Sequence, residues 1–272
     1  MSSDRFRKIR TALLPREWIV SDSHVRQKSE NYRKNLLEIY TKVKYQSMLG
    51  VVRIYYIQRD IKRAMRNEDD FKKLDKLFGE AIDNNDVKKI IKAYTSNGSF
   101  FKILNNHLAS ILRVDNDKQI KMTKMVDISY WQGPLDIVAI FIYHPDLEEF
   151  RFRQGNVFRG MRIDKDEDLL PYQTIGIPFL NKTFISTSKN PTIAMIFGGA
   201  TSDSPSPTKS CLFKYTFVES TRRTALDIHS FSNNPEEEEV LILPYATFQI
   251  TSYQHSPSNA NFIEIELREC NP

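Results

Sequence analysis

Pro235-Glu236-Glu237-Glu238-Glu239-Val240-Leu241-Ile242-Leu243-Pro244 sets four consecutive carboxylates directly against four consecutive aliphatics. Val240 to Leu243 has no polar side on either face, which predicts a strand buried on both. Side chains alternate along a strand, so carrying the strand back into the acidic run puts Glu237 and Glu239 on one face and Glu238 on the other. Two like charges at the mouth of an apolar core repel one another and lose solvent. That is costly unless a cation or an electron-poor ligand lies between them. The plainer alternative is a solvated acidic turn before a strand. Two other stretches weigh against it.

The first is Val157-Phe158-Arg159-Gly160-Met161. An arginine set among hydrophobic residues on a strand is unusual, because arginine is rarely buried unpaired. Its planar fork suits a phosphate or a carboxylate, and Gly160 leaves room for a ligand near the backbone. The alternative is an edge-strand arginine pointing to water. The second stretch is Phe184-Ile185-Ser186-Thr187-Ser188, a hydrophobic strand ending in three hydroxyls. Hydroxyls there either hold a ligand or cap a helix starting near Thr192. No histidine lies near Ser186 in sequence and there is no GxSxG elbow, so it does not read as a hydrolase serine.

Working outward, the 272 residues suit one large domain or one domain with an extension. Hydrophobic residues make up 40% and aromatics 11%, enough for a substantial core. Helical spacing predicts helices over Ser29 to Arg66 (with Gly50 as an interruption), Asp69 to Ile82, Val87 to Tyr94, Phe100 to Leu112 and Leu135 to Tyr143. Asn67 offers a cap, and Gly133-Pro134 reads as a turn. Asp115 to Lys118 reads as a loop, and Ile120 to Trp131 is ambiguous. The ring of Trp18 is expected to dock on the rest of the protein. After about residue 150 the pattern changes to short β-rich runs: 156–163, 183–187, 211–218, 225–228, 240–243, 248–253 and 262–267. A short helix is predicted over Thr192 to Phe197, and Thr201 to Lys209 is a surface loop. Helices first and a β core after give an α+β plan.

Residues 1–66 hold 16 Lys/Arg against 6 Asp/Glu, and residues 67–272 hold 23 against 28. The basic excess therefore sits in the first quarter of the chain, either as a solvated helical face or as a contact for nucleic acid, anionic lipid or an acidic partner. No zinc-finger spacing or other nucleic-acid module accompanies it. Cys211 and Cys270 are too few for a disulfide framework. The longest apolar run, Ile137 to Tyr143, is too short to span a membrane, and no secretory signal is evident, so an intracellular location is expected. The five histidines are scattered without metal-ligand spacing, so no metal is expected. There is neither a P-loop nor a GxGxxG.

Taken in order, Arg on a first strand, Ser-Thr-Ser on a second and Glu-x-Glu entering a later one resemble the mono-ADP-ribosyltransferases of the R-S-E class. That class includes the vertebrate-type arginine-specific enzymes and the cholera-toxin-like and C2-like toxins. Phe158-Arg159-Gly160, Phe184-x-Ser186-Thr187-Ser188 and Glu237-Glu238-Glu239-Val240-Leu241-Ile242-x-Pro244 are family phrasings. Ile91-Lys92-Ala93-Tyr94-Thr95 followed by Phe101-x-x-Leu104-Asn105 is similar to the helical lead-in of the vertebrate-type enzymes. Leu108-Ala109 departs from it, where Leu-Arg is expected. The resemblance spans roughly residues 75–268. It implies a catalytic domain over 71–272, preceded by a basic, mainly helical extension over 1–70, with NAD bound in a cleft between two packed sheets. Arg159 is then expected to grip the phosphates. Ser186 orders the strand ends at the nicotinamide ribose, with Thr187 and Ser188 beside it. Gly160 backs the nicotinamide amide. Glu239 bonds the ribose 2′-hydroxyl and stabilises the positive charge that grows as nicotinamide leaves. Glu237 holds the incoming guanidinium, the family's mark of arginine specificity. Phe197 lies beside the cofactor or in the core, and Phe231 either helps select the acceptor or anchors a turn. The implied partners are NAD and a protein with an exposed arginine, which includes the chain itself. An NAD glycohydrolase on the same fold and a non-catalytic NAD-binding module are the alternatives.

Overall fold

The computed structural model describes residues 18–20, 24–96, 99–111, 128–199, 209–219, 222–257, 259 and 261–270, with residues 18–20 and 128–131 described as backbone only. The ring of Trp18, the loop over 115–118 and most of the segments 120–131 and 201–209 lie outside the described residues. The chain divides into two compact units, one within residues 32–150 and 230–233, the other within 1–31, 151–229 and 234–272.

The first unit is helical. Val25–Lys42 leads into it, and Lys44 is extended (φ −62, ψ 140) before the helix Tyr45–Val51 begins. The interruption therefore falls at Val43-Lys44 rather than at Gly50, which lies inside the second helix. That helix continues as a π-helical segment, Val52–Ile61, and a last turn, Lys62–Ala64. Asn67 caps Glu68–Asp83 as its sequence position predicts, its side chain accepting from the backbone of Asp69 and Asp70. Lys88–Tyr94 and Phe100–Ile111 follow. Gly133-Pro134 does not form a turn, because the helix Ile128–Tyr143 runs through it. The glycine is there for packing, since a Cβ at 133 would lie 2.4 Å from Tyr56 Cβ. Ile137 to Ile142 are fully buried, and with Leu49, Ile57, Phe78 and Leu104 they form the apolar interior of this unit.

One carboxyl sits in that buried helix. Asp136 is 3% exposed and accepts a 2.6 Å hydrogen bond from Gln132 Nε2. Burial pushes its carboxyl up to about 6, against the pull of that bond. An unfolded aspartate titrates at about 3.9, so the fold prefers the protonated form. Stability from this group is complete below the unfolded value and is lost as pH rises through about 6. Asp136→Asn keeps an acceptor for Gln132 and removes the titration. At pH 8 it is expected to raise unfolding stability by on the order of 2 kcal/mol, with no gain near pH 4. Urea denaturation at the two pH values measures this.

The second unit is built on strands. They are β1 (Trp18–Val20), β2 (Gly155–Ile163), β3 (Pro178–Asn181), β4 (Ile185–Ser188), β5 (Lys209–Phe217), β6 (Ala225–Asp227), β7 (Glu239–Ile242), β8 (Thr247–His255) and β9 (Phe262–Glu269). Among the described residues they form one hydrogen-bonded order, β1-β3-β8-β9-β5-β2-β4-β7-β6. Among the described strand pairs only β5 and β9 run parallel. This is the mixed helix-and-sheet fold expected from the sequence, but the two-sheet division is not what the pairing gives. The strand β2 continues the sheet in both directions. It pairs with β5 along its whole length, from Gly155↔Phe217 to Ile163↔Lys209, and with β4 at the single position Phe158↔Ser188.

Aromatic and aliphatic side chains fill the interior. Tyr172 packs edge-on to Phe213 at 5.1 Å, and Phe248 meets Tyr215 at 5.2 Å and Phe217 at 5.5 Å. Val157, Ile185, Val240, Ile242 and Ile265 complete it. Each fully buried side chain of this size contributes about 1.5–3 kcal/mol. Val240 to Leu243 are all fully buried, as their unbroken apolar run predicts.

Candidate active site

The three hydroxyls that end β4 do three different things. Their partners on β7 are Leu241 for Ser186, Val240 for Thr187 and Glu239 for Ser188. Ser186 and Glu239 are diagonal neighbours on one face, and Ser186 Oγ donates a 2.6 Å hydrogen bond to Glu239 Oε1. Thr187, on the other face, donates to the Val240 carbonyl at 2.6 Å. Ser188 Oγ accepts from the Asn190 backbone N–H at 2.9 Å. The helix Pro191–Phe197 is capped by Asn190, which accepts from Thr192, rather than by any of the three hydroxyls. Glu239 is only 5% exposed, whereas Ser186 is exposed. A solvent-facing hydroxyl thus holds a buried carboxylate through a short, charge-assisted bond.

The acidic run is not a continuation of β7. Pro235–Glu237 form a 3-10 turn, Glu238 takes the left-handed conformation (φ 47), and the strand starts at Glu239. Strand alternation therefore does not relate Glu237 to Glu239, and Glu237 is presented from a turn. Lys189 N–H donates to the Glu238 carbonyl at 3.1 Å and Ile228 N–H to the Glu239 carbonyl at 3.0 Å. Those bonds hold a residue whose φ costs a non-glycine side chain roughly 1–2 kcal/mol. Glu237 is half-buried. Burial, and then the neighbouring Glu236 charge, raise its carboxyl above the ordinary range, against a hydrogen bond with Asn234.

Arg159 lies mid-strand in β2, opposite Phe213, and is half-buried. A Cβ on the next residue, Gly160, would lie 1.8 Å from the Ala194 carbonyl oxygen and 2.6 Å from Gly198 N. The glycine thus lets the Pro191–Phe197 helix lie directly on β2, a use that the sequence reading assigned to a ligand. Phe197 is 62% exposed. The core placement is wrong because the inward residue of that helix is Ala194, at 2% exposure, and the last turn faces solvent. Phe231 belongs to the helical unit. There it meets Phe150 edge-on at 4.9 Å, with Lys88 Nζ 4.5 Å from the Phe150 ring and 5.9 Å from its own. These contacts anchor the turn.

One polar cluster beside the site was not foreseen. Lys189 Nζ bonds Asp227 Oδ2 at 3.0 Å, and His229 Nδ1 lies 2.7 Å from Asp227 Oδ1 and 3.4 Å from Lys189 Nζ. Burial raises the Asp227 carboxyl, but the His229 and Lys189 hydrogen bonds and charges outweigh it and hold the carboxyl low. The signal was present as Asp227-x-His229 at a strand end and a lysine directly after Ser-Thr-Ser. Neither has meaning until the strand order is known.

Arginine, serine and buried glutamate thus stand on β2, β4 and β7, three neighbouring strands of the sheet. Residues 153–271 match the family model for NAD:arginine ADP-ribosyltransferases. The activity this supports is NAD-dependent mono-ADP-ribosylation, with NAD as co-substrate. Among solved structures, the type III effector XopAI from Xanthomonas axonopodis pv. citri matches with TM-score 0.51 and 12% identity over 93% of this chain and 95% of that chain. Vis toxin, an ADP-ribosyltransferase from Vibrio splendidus, matches with TM-score 0.45 and 18% identity over 92% and 87%. Exoenzyme S from Pseudomonas aeruginosa, solved with human 14-3-3 protein beta and carba-NAD, matches with TM-score 0.47 and 15% identity over 82% and 88%. At 12% identity the likeness to XopAI concerns the fold alone. None of the curated proteins matches the chain. Among the described residues no helix is long and apolar enough to cross a membrane.

Proposed function

We propose that the chain transfers ADP-ribose from NAD to arginine side chains, with release of nicotinamide. The observation that carries this is the 2.6 Å bond from Ser186 to the buried Glu239. It fixes a charged oxygen at a strand end where an exposed hydroxyl marks the approach from solvent. In this role Glu239 bonds the ribose 2′-hydroxyl and stabilises the positive charge that develops on the ribose as nicotinamide departs. Preorganisation by Ser186 means that the carboxylate need not move as that charge grows. Arg159 holds the phosphates of NAD with its planar fork. Phe197, exposed at the end of the helix that lies on β2, packs against the cofactor. Thr187 and Ser188 hold the strand end and the cap in place, and Gly160 brings the helix against β2.

Glu237 takes the acceptor. Its place on a turn, half-buried before the strand begins, suits a carboxylate that receives a guanidinium from outside. The acceptor is a protein with an exposed arginine. Glu237→Gln is expected to lower transfer to an arginine analogue about 100-fold while NAD hydrolysis stays within about threefold. Counting labelled analogue against free nicotinamide for the same reaction tests this. Equal loss of both activities would remove the acceptor role.

A further inference from the structure

The Lys189, Asp227 and His229 cluster lies at the ends of two strands that do not touch. In the sheet order β7 lies between β4 and β6. Thr187, Val240 and Asp227 stand in one row across those three strands. Directly opposed residues share a face and neighbours along a strand alternate, so Asp227 faces away from the side that carries Ser186 and Glu239. The ion pair between Lys189 and Asp227 therefore crosses behind the beginning of β7. The same two strand ends also grip the backbone there, Lys189 through the Glu238 carbonyl and Ile228 through that of Glu239. Glu238 between them is left-handed, and Glu237 comes just before it.

We propose that Lys189, Asp227 and His229 form a strap behind β7 that fixes the Glu238 turn and so sets the position of Glu237 toward the acceptor arginine. This rests on the acceptor role of Glu237 proposed above. The three are positioning residues, acting from the opposite face through the backbone they join. Both carboxylate oxygens of Asp227 are engaged, one by lysine and one by histidine, so the strap has a defined geometry. Without it only backbone hydrogen bonds, those from Lys189 and Ile228 and the 3.1 Å bond from Glu238 N–H to the Pro235 carbonyl, are left to hold a left-handed glutamate against the repulsion of its acidic neighbours. The turn then samples other conformations, and Glu237 with it. Glu239 is held independently by Ser186 and by the strand pairing, so the chemistry at the ribose is spared.

The test uses the full chain carrying Lys189→Met, which keeps the length and removes the charge. The KM for an arginine analogue is expected to rise about tenfold, while the KM for NAD and the rate of NAD hydrolysis stay within about twofold. Deuterium uptake by a peptide covering residues 235–239 is expected to speed up, at an unchanged melting temperature. Asp227→Asn should reproduce the pattern, and Lys189→Arg should restore the wild-type values. Parallel loss of hydrolysis and transfer, or unchanged exchange in the peptide, would overturn the strap. If the wild type releases nicotinamide but modifies no analogue, the acceptor role itself fails. The exchange measurement then still decides the strap, with faster exchange supporting it and unchanged exchange overturning it.

Discussion

Glu239→Gln is expected to slow both ADP-ribose transfer and NAD hydrolysis by about 10²–10³-fold, a barrier increase of roughly 3–4 kcal/mol. The substitution preserves shape and an oxygen that can accept from Ser186, so the 2.6 Å contact has a replacement. What it removes is the negative charge. That charge sits at 5% exposure, where water contributes little screening and a fixed carboxylate acts strongly on a positive charge nearby. In the role proposed for Glu239, loss of the charge slows the departure of nicotinamide, which transfer and hydrolysis share, so both activities should fall together. This is the opposite of the split expected for Glu237→Gln. Melting temperature should not drop, because an amide is less costly to bury than a carboxylate. Nicotinamide release and label transfer, measured side by side, give the two rates. Transfer lost while hydrolysis persists would place Glu239 on the acceptor side instead.

Gly160→Ala is expected to destabilise the strand unit by about 3 kcal/mol, near the upper end for an overpacked core. The added carbon would fall 1.8 Å from the Ala194 carbonyl oxygen and 2.6 Å from Gly198 N. Both are backbone atoms, so no rotamer change relieves the clash. The helix Pro191–Phe197 must lift off β2, carrying with it the Asn190 cap and the Ser188 bond that precedes it. Gly198→Ala is the matched comparison, since its Cβ would meet Gly160 Cα at 3.2 Å. It should cost about 1 kcal/mol, because a few tenths of an ångström of adjustment suffice. Urea unfolding of the two variants measures the difference. Equal, small effects would mean that the helix does not depend on Gly160 for its seat.

Much of this domain was legible before the structure. The unbroken run Val240 to Leu243 declares a buried strand, and the strand found, Glu239–Ile242, is offset from it by one residue with all four aliphatics buried. Asn67 before three acidic residues declares a helix start, and its side chain caps one. The pairing of Ser186 with Glu239, by contrast, depends on a register between residues far apart in the chain, and only the resemblance suggested that they meet. Alternation misplaced Glu237 relative to Glu239 because it assumes extended backbone, and the left-handed Glu238 breaks that assumption at the one residue between them. Gly133-Pro134 was misread for a related reason. Both residue types mark turns locally, yet here tertiary packing against Tyr56 overrides local preference. The strand β3 escaped notice because Pro178 opens a run of only four residues. The Lys189, Asp227 and His229 strap was invisible because its members belong together only once β7 is known to lie between their strands.

Arginine-directed transfer from NAD is decided by incubation of the wild-type chain with NAD labelled in its adenosine portion, with and without an arginine analogue. The expected result is label on the analogue, matched by released nicotinamide. Nicotinamide released with no label on the analogue would contradict it and assign the domain to hydrolysis of NAD.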